Sequence, residues 1–107
     1  MTVSLKHLAS GQLSSTKSTL YTSPADTTTK ISRVILTNTS SSSVLVTFWR
    51  NDGNEMLLTS FTVPGGSGKT SDVFELQGAN LAETQLIAAR AATASVLNYQ
   101  IDGDTVT

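Results

Sequence analysis

Short apolar stretches alternate with clusters of turn-forming residues along the chain. The clusters include Pro24 and Asp26, the serine run at 40–43, Asp52 with Gly53, and the Pro-Gly-rich stretch at 64–68. Such alternation predicts an all-β domain, because successive side chains of a strand point to opposite faces. We expect an antiparallel β-sandwich of jelly-roll-like form. The predicted strands cover residues 3–8, 12–21, 30–38, 44–50, 55–63, 72–76, 85–91 and 93–101.

The clearest local signal is a hairpin centred on Asp52 and Gly53, residues that tolerate the positive φ angles of a tight turn. A two-residue turn there would place Arg50 opposite Glu55 and Phe48 opposite Leu57. One face of the hairpin would then enter the core through Val44, Val46, Phe48, Leu57, Phe61 and Val63. The other face would carry Leu45, Thr47, Trp49, Met56, Leu58 and Ser60.

That second face is apolar where a solvated sheet face should be polar. Burying one large aliphatic side chain is worth roughly 1.5–3 kcal/mol, so leaving several of them in water is costly. Two explanations stay open at this point, a covering loop of the same chain or a neighbouring subunit. If a subunit covers the face, its contact residues are predicted to be Leu45, Trp49, Met56 and Leu58.

Residues 81–92 give a mixed signal. The segment is rich in helix-forming residues, and Asn80 with Glu83 resembles a helix-opening pair. However, the segment is short and its apolar residues do not form one helical stripe. We therefore predict a turn over 79–84 that is followed by a strand over 85–91.

Length and charge limit the classes of function. The 107 residues are enough for one domain, 1–107, in which residues 1–11 are a candidate extended N-terminal arm. Charged residues make up only 14% and the net charge is −1, with no basic run, so a nucleic-acid partner is not expected. A surface so poor in charge suits contact with other protein.

The composition also argues against membranes and disulfide bonds. The chain has no cysteine, which excludes disulfide bonds and thiolate metal sites. No stretch approaches the ~20 apolar residues of a membrane span, and no secretory signal is recognised at the start. We expect a protein that is made in a cytoplasm and has no membrane partner.

No motif points to catalysis, a metal or a cofactor. The run from Gly66 to Thr70 resembles a phosphate-binding loop, but Val63 stands where that motif needs glycine. His7 is the single histidine, too few for a metal site, and no serine has the context of a nucleophile elbow. Residues 51–55 lack the spacing of a calcium loop. Trp49, Tyr21 and Tyr99 could stack a sugar, but they fall on separate strands.

Several of these segments are similar to a pattern in small structural proteins of tailed-bacteriophage particles. The similar segments are LYTSPA at 20–25, the Thr-rich turn at 27–29, the strand that ends in NTS at 38–40, the alternating strand at 44–49 and the VPGG turn at 63–66. The resemblance covers most of the chain from about residue 12. It implies an antiparallel β-sandwich that serves in the virion, as a capsid decoration (cement) protein or as a tail, baseplate or fibre-attachment part, and it brings no catalytic residues.

These observations together predict a non-enzymatic virion protein. We expect a homo-oligomer, with a trimer as the expected state. It would also contact other virion proteins such as the major capsid protein or tail components. Residues 1–15 could cross a neighbouring subunit by joining an exposed strand edge. The alternative class is a carbohydrate-binding receptor module.

Overall fold

The computed structural model describes residues 3–66, 69–73 and 76–107, and these residues fold into strands arranged in two sheets. The strands alternate between apolar and polar side chains, as the sequence pattern requires. Their bounds are β1 Val3–Gln12, β2 Ser18–Thr22, β3 Thr28–Asn38, β4 Val44–Asn51, β5 Glu55–Val63, β6 Lys69–Asp72, β7 Asn80–Leu81, β8 Leu86–Ala91 and β9 Leu97–Val106.

The two sheets form a jelly roll. The first sheet has the order β1-β9-β3-β6, with β7 paired to one end of β3, and the second has the order β2-β8-β4-β5. Every pairing is antiparallel. This arrangement of eight main strands in two sheets is that of a jelly roll. The predicted antiparallel β-sandwich is confirmed.

The core lies between the inward faces of the two sheets. From the first sheet, β3 and β9 contribute Ile31, Val34, Leu36, Leu97 and Ile101, all fully buried. The second sheet supplies Phe48, the largest fully buried side chain, along with the inward residues of β4, β5 and β8. These inward residues are Val44, Val46, Val63, Ile87, Ala89 and Ala91.

In the described part of 1–11, the candidate extended arm, the N-terminal segment is an extended strand of the first sheet. Strand β1 pairs with β9 from Val3 to Gln12, with a bulge between His7 and Ala9. The predicted strand over 12–21 is also interrupted. Leu13 is buried, and its backbone N–H donates to the carbonyl of Leu97 at 2.9 Å. This contact ends β1 and turns the chain toward β2.

Two other predicted strands are displaced. The predicted strand over 72–76 is found earlier, as β6 (Lys69–Asp72), and residues 74 and 75 lie outside the described residues. The run from Gly66 to Thr70 therefore ends in a strand, with residues 67 and 68 again outside the description. The last strand begins at Leu97 instead of residue 93, because Ser95 takes a φ of 64° in a turn.

The mixed segment contains the predicted strand, but Asn80 and Leu81 of the predicted turn form the short strand β7. Thr84 closes the preceding turn with a φ of 66°, and β8 follows at Leu86–Ala91. Strand β8 pairs with β2 and β4, and its core residues Ile87, Ala89 and Ala91 are fully buried, while Ala88 between them is 7% exposed.

The hairpin forms where it was predicted, but its register is different. Its loop has three residues, since Asn51 pairs with Glu55, so Arg50 lies opposite Met56 and not Glu55. A bulge then inserts Leu58 between two pairs, Trp49 with Leu57 and Phe48 with Thr59. Beyond an inserted residue, each side chain of the strand points to the opposite face of the sheet. Leu57 therefore points away from the core, and Leu58 packs against it.

Candidate assembly surface

The outward face of the second sheet is the candidate site. Along β4 the inward residues are buried, and the residues between them, Leu45, Thr47 and Trp49, point away from the core. Trp49 is flanked by Leu57 on β5 and by Ala88 on β8, its register partners on the two sides. We call Leu45, Trp49, Leu57 and Ala88 the outer apolar face.

Part of the outer apolar face is open to solvent. The exposed fractions are 48% for Leu45 and 59% for Leu57, and Trp49 is half-buried. Single exposed apolar residues are ordinary on soluble proteins, but Leu57 and Trp49 are neighbours on adjacent strands and together form a candidate contact surface. Leu45 lies farther along the same face, beyond Thr47, which pairs with Ser60 and Arg90. Covering two leucines and an indole would be worth several kcal/mol, at about 1.5–3 kcal/mol for each side chain.

The chain itself covers one side of the patch through Lys17. The Lys17 ammonium nitrogen lies 5.2 Å from the centroid of the Trp49 ring, in the geometry of a cation–π contact. The same ammonium is paired with the Glu55 carboxylate. The loop before Lys17 is anchored to β8, because the Ala91 N–H donates to the Ser14 carbonyl at 2.9 Å. A loop of the same chain therefore shields Trp49 but leaves Leu45 and Leu57 exposed.

The predicted contact residues divide into two groups. Leu45 and Trp49 point to the same side of β4, on the outer apolar face. Met56 is 54% exposed but lies opposite Arg50, on the other side of the sheet from Leu57. Leu58 is half-buried against the core. The sequence analysis placed Leu57 on the core face and so missed it as a contact residue. The sequence signal that bears on it is the pair of adjacent leucines, 57 and 58, which cannot both face inward on a regular strand.

The guanidinium opposite Met56 belongs to a small polar network. The Arg50 Nη2 donates to the side-chain carbonyl of Gln85 at 2.9 Å, and the same oxygen accepts the Ala82 N–H at 2.9 Å. The Arg50 Nε is buried without a hydrogen-bond partner among the described residues. This network holds the end of β4 against the turn that precedes β8.

The three candidate sugar-stacking aromatics are not brought together. Trp49 is on the outer apolar face, whereas Tyr21 and Tyr99 pack against the core. The Tyr21 hydroxyl lies 3.0 Å from the Thr29 hydroxyl, so its polar end is also turned to the protein. Any stacking of a ligand would therefore rest on Trp49 alone.

A polar cluster occupies the outward face of the first sheet. His7 Nδ1 lies 3.2 Å from the Asp102 carboxylate and His7 Nε2 lies 3.2 Å from the Ser10 hydroxyl. The other Asp102 oxygen accepts a hydrogen bond from Gln100 at 3.0 Å. The connectivity is that of a Ser-His-Asp triad, but 52% of the His7 side chain is exposed, and Ser10 is exposed too.

Acyl transfer needs more than this connectivity. It requires preorganised donors for an oxyanion and a site from which water is excluded. The N–H groups of a strand lie in the plane of the sheet, so they are not directed at a carbonyl above Ser10. We assign the cluster no catalytic role.

Residues 3–66, 69–73 and 76–107 show neither a metal-binding cluster nor a membrane-spanning helix. No group of three or more His, Asp or Glu side chains in that part of the chain is placed to hold a metal ion. In the 51–55 turn, the Asn51 side-chain oxygen accepts the Gly53 N–H at 3.0 Å, which is ordinary turn chemistry. Those residues also form no helix with the length and apolarity needed to cross a bilayer.

Comparison with known proteins defines the fold and leaves the family open. No family model matches the chain, and no curated protein matches it in sequence. Among solved structures, it is similar to one described as "Bacillus endospore appendages form a novel family of disulfide-linked pili". The TM-score is 0.56 at 10% identity, over 99% of this chain and 88% of the other. At that identity the likeness shows a shared β-sandwich fold.

Proposed function

We propose that this protein is a non-enzymatic structural subunit that assembles with copies of itself in the particle of a tailed bacteriophage, as a capsid decoration protein. The observation that carries the proposal is the outer apolar face, where Leu57 is exposed beside Trp49 and Leu45 is exposed farther along the same face of β4. Closed symmetric assembly is the usual way in which small identical subunits bury such a patch. The second partner would be the major capsid protein.

Two further observations support assembly. Charged residues are only 14% of the chain, so little charge opposes close contact between copies. Jelly rolls also recur as the subunits of viral capsids. The structural neighbour is described as forming disulfide-linked pili, whereas this chain contains no cysteine. Assembly here would therefore depend on noncovalent contacts.

The test is the oligomeric state of a double variant, Leu45→Ser with Leu57→Ser. We expect the purified protein to be an oligomer by light scattering and the double variant to be a folded monomer. A matched control is Ile35→Ser, which makes the same kind of change on the outward face of the first sheet, where Ile35 lies between buried Val34 and Leu36. The proposal fails if the wild-type protein stays monomeric at high concentration, or if the control dissociates it equally.

Placement in the particle needs its own experiment. Capsids that lack the protein should bind it at saturating and stoichiometric levels, and the bound particles should resist heat better than the bare ones. Binding to purified tails or baseplates instead would assign it to the alternative location, as a tail or fibre-attachment part.

A carbohydrate-binding receptor module is the second candidate, and one observation favours it. Trp49 shares a cleft with Lys17, Asn51 and Glu55, which offer hydrogen-bond donors and acceptors beside an indole. This candidate expects Trp49 fluorescence to change on addition of host-surface glycans, and expects Trp49→Ala to abolish the change. A fluorescence signal indifferent to a broad glycan panel would rule it out.

A further inference from the structure

Strand β5 is an open edge of the second sheet. It pairs with β4 on one side and is the last strand of the order β2-β8-β4-β5. An edge strand presents unpaired N–H and C=O groups that can join another strand. Proteins usually protect such edges with lysine, proline or inward-pointing charge. Strand β5, Glu55–Val63, contains no lysine, arginine or proline, and its one charge is at its first residue.

The other edges are shorter or better protected. Strand β1 contains Lys6 and His7, and β6 is four residues long with a charged residue at each end. Strand β2 has five residues. The bulge at Leu58 bends one end of β5, but pairing with β4 is regular from Thr59 to Val63. Among the described strands, β5 is the long edge that is least protected.

The exposure of Met56 distinguishes two possible contacts between subunits, pairing of strand edges and packing of sheet faces. Met56 and Leu57 are 54% and 59% exposed and point to opposite sides of the same sheet. A subunit stacked on the outer apolar face would cover Leu57 and leave Met56 in water. A strand added along β5 places neighbouring side chains on both sides of the sheet, because its residues also alternate.

We propose that β5 pairs antiparallel with β5 of a second copy across a twofold axis, which joins the two second sheets into one continuous sheet. This inference rests on the proposed assembly function and identifies its first contact. Charge favours the antiparallel arrangement, since it places each Glu55 near the Val63 end of its partner. Parallel pairing would bring the two Glu55–Lys17 ion pairs together, with each carboxylate beside its like, and like charges directly opposite each other are destabilising. The two outer apolar faces become neighbours across the joint.

Cross-linking tests the contact directly. The chain has no cysteine, so a single introduced one is an unambiguous reporter. We expect Ser60→Cys, on exposed β5, to form a covalent dimer with a short bismaleimide, whereas Ser10→Cys on the β1 edge should stay monomeric on a denaturing gel. Cross-linking of the β1 variant without the β5 variant would overturn the inference.

A charge placed on the edge supplies the second measurement. We expect Met56→Lys to raise the dissociation constant by at least about tenfold, since edge lysines oppose strand pairing. Asn54→Lys adds the same charge in the adjacent loop and should change the constant little. If Leu45→Ser with Leu57→Ser dissociates the oligomer but Met56→Lys does not, the edge contact is wrong and face packing remains. A wild-type monomer would instead overturn the assembly function itself.

Discussion

Gly103 shows how closely three strands meet in the first sheet. A Cβ at this position would lie 2.3 Å from the Lys30 carbonyl oxygen and 2.9 Å from a methyl carbon of Leu8. Both neighbouring strands bulge here, β1 between His7 and Ala9 and β3 between Ile31 and Arg33. The backbone oxygen cannot move without disturbing the ladder. Only glycine, which has no Cβ, therefore fits at position 103, where the neighbouring strand approaches so closely.

Replacing Gly103 with alanine should lower the free energy of unfolding. We expect a loss at the upper end of the about 1–3 kcal/mol typical of overpacking, because the clash is with backbone. Urea denaturation followed by circular dichroism would measure it. The control is Gly11→Ala on β1, where the added Cβ meets the Tyr99 side chain at 3.3 Å and the ring can adjust. Equal losses in both variants would show that the close approach is not the cause.

For single residues, the alternation of apolar and polar positions predicts which face a side chain points to only where the strand is regular. Leu45 and Trp49 were placed correctly on the outward face, because β4 is regular between Val44 and Phe48. The prediction exchanged Leu57 and Leu58. The three-residue hairpin loop and the bulge each shift the register, and neither changes the order of residue types in the sequence. Leu57 could be identified only from the backbone path.

At the scale of elements, one buried asparagine connects three segments. The Asn38 side-chain nitrogen donates to the carbonyls of Ser42 and Pro64, at 2.9 and 3.1 Å, and lies 3.4 Å from that of Val63. Its oxygen accepts the N–H of Ser40 at 2.9 Å. The end of β3 is thereby tied to the loop before β4 and to the end of β5.

Asn38→Ala should loosen this junction. Truncation leaves buried backbone carbonyls without a donor, which costs about 1–3 kcal/mol in the free energy of unfolding. Hydrogen exchange should rise in the 39–43 loop and at residues 63–66 more than elsewhere. The comparison variant is Asn98→Ala, at an exposed position of β9, which should change stability little. Uniform exchange across the chain would contradict a local role for Asn38.

Strands were predicted better than their boundaries. The alternation of buried and exposed residues identified β3, β4, β5 and β8, all of which face the core on one side. Helix propensity in 81–92 was overridden because alternate residues of β8 enter the core. The division of 12–21 was not foreseen, since Leu13 is held by contacts to residues about eighty positions later, and local sequence carries no sign of them.

At the scale of the whole molecule, the jelly-roll fold narrows the range of possible functions less than the exposed surfaces do. Jelly rolls serve in both capsid and lectin domains, so the likeness to an appendage subunit shows architecture alone. The sequence could predict the sandwich because its core follows from patterning. It could not predict the surfaces proposed for assembly, because the outer apolar face and the β5 edge are defined by a bulge and a sheet order that no local motif encodes.

Assembly and folding should be linked in a measurable way. If copies bind each other only when folded, dilution removes that stabilisation, and the melting temperature depends on protein concentration. From a concentration near the dissociation constant to about a hundredfold above it, we expect a rise of about 5 °C or more. Leu45→Ser with Leu57→Ser should melt at one temperature throughout, whereas Ile35→Ser should keep the concentration dependence. A wild-type melting temperature that does not change with concentration would mean that these surfaces do not join copies of the chain.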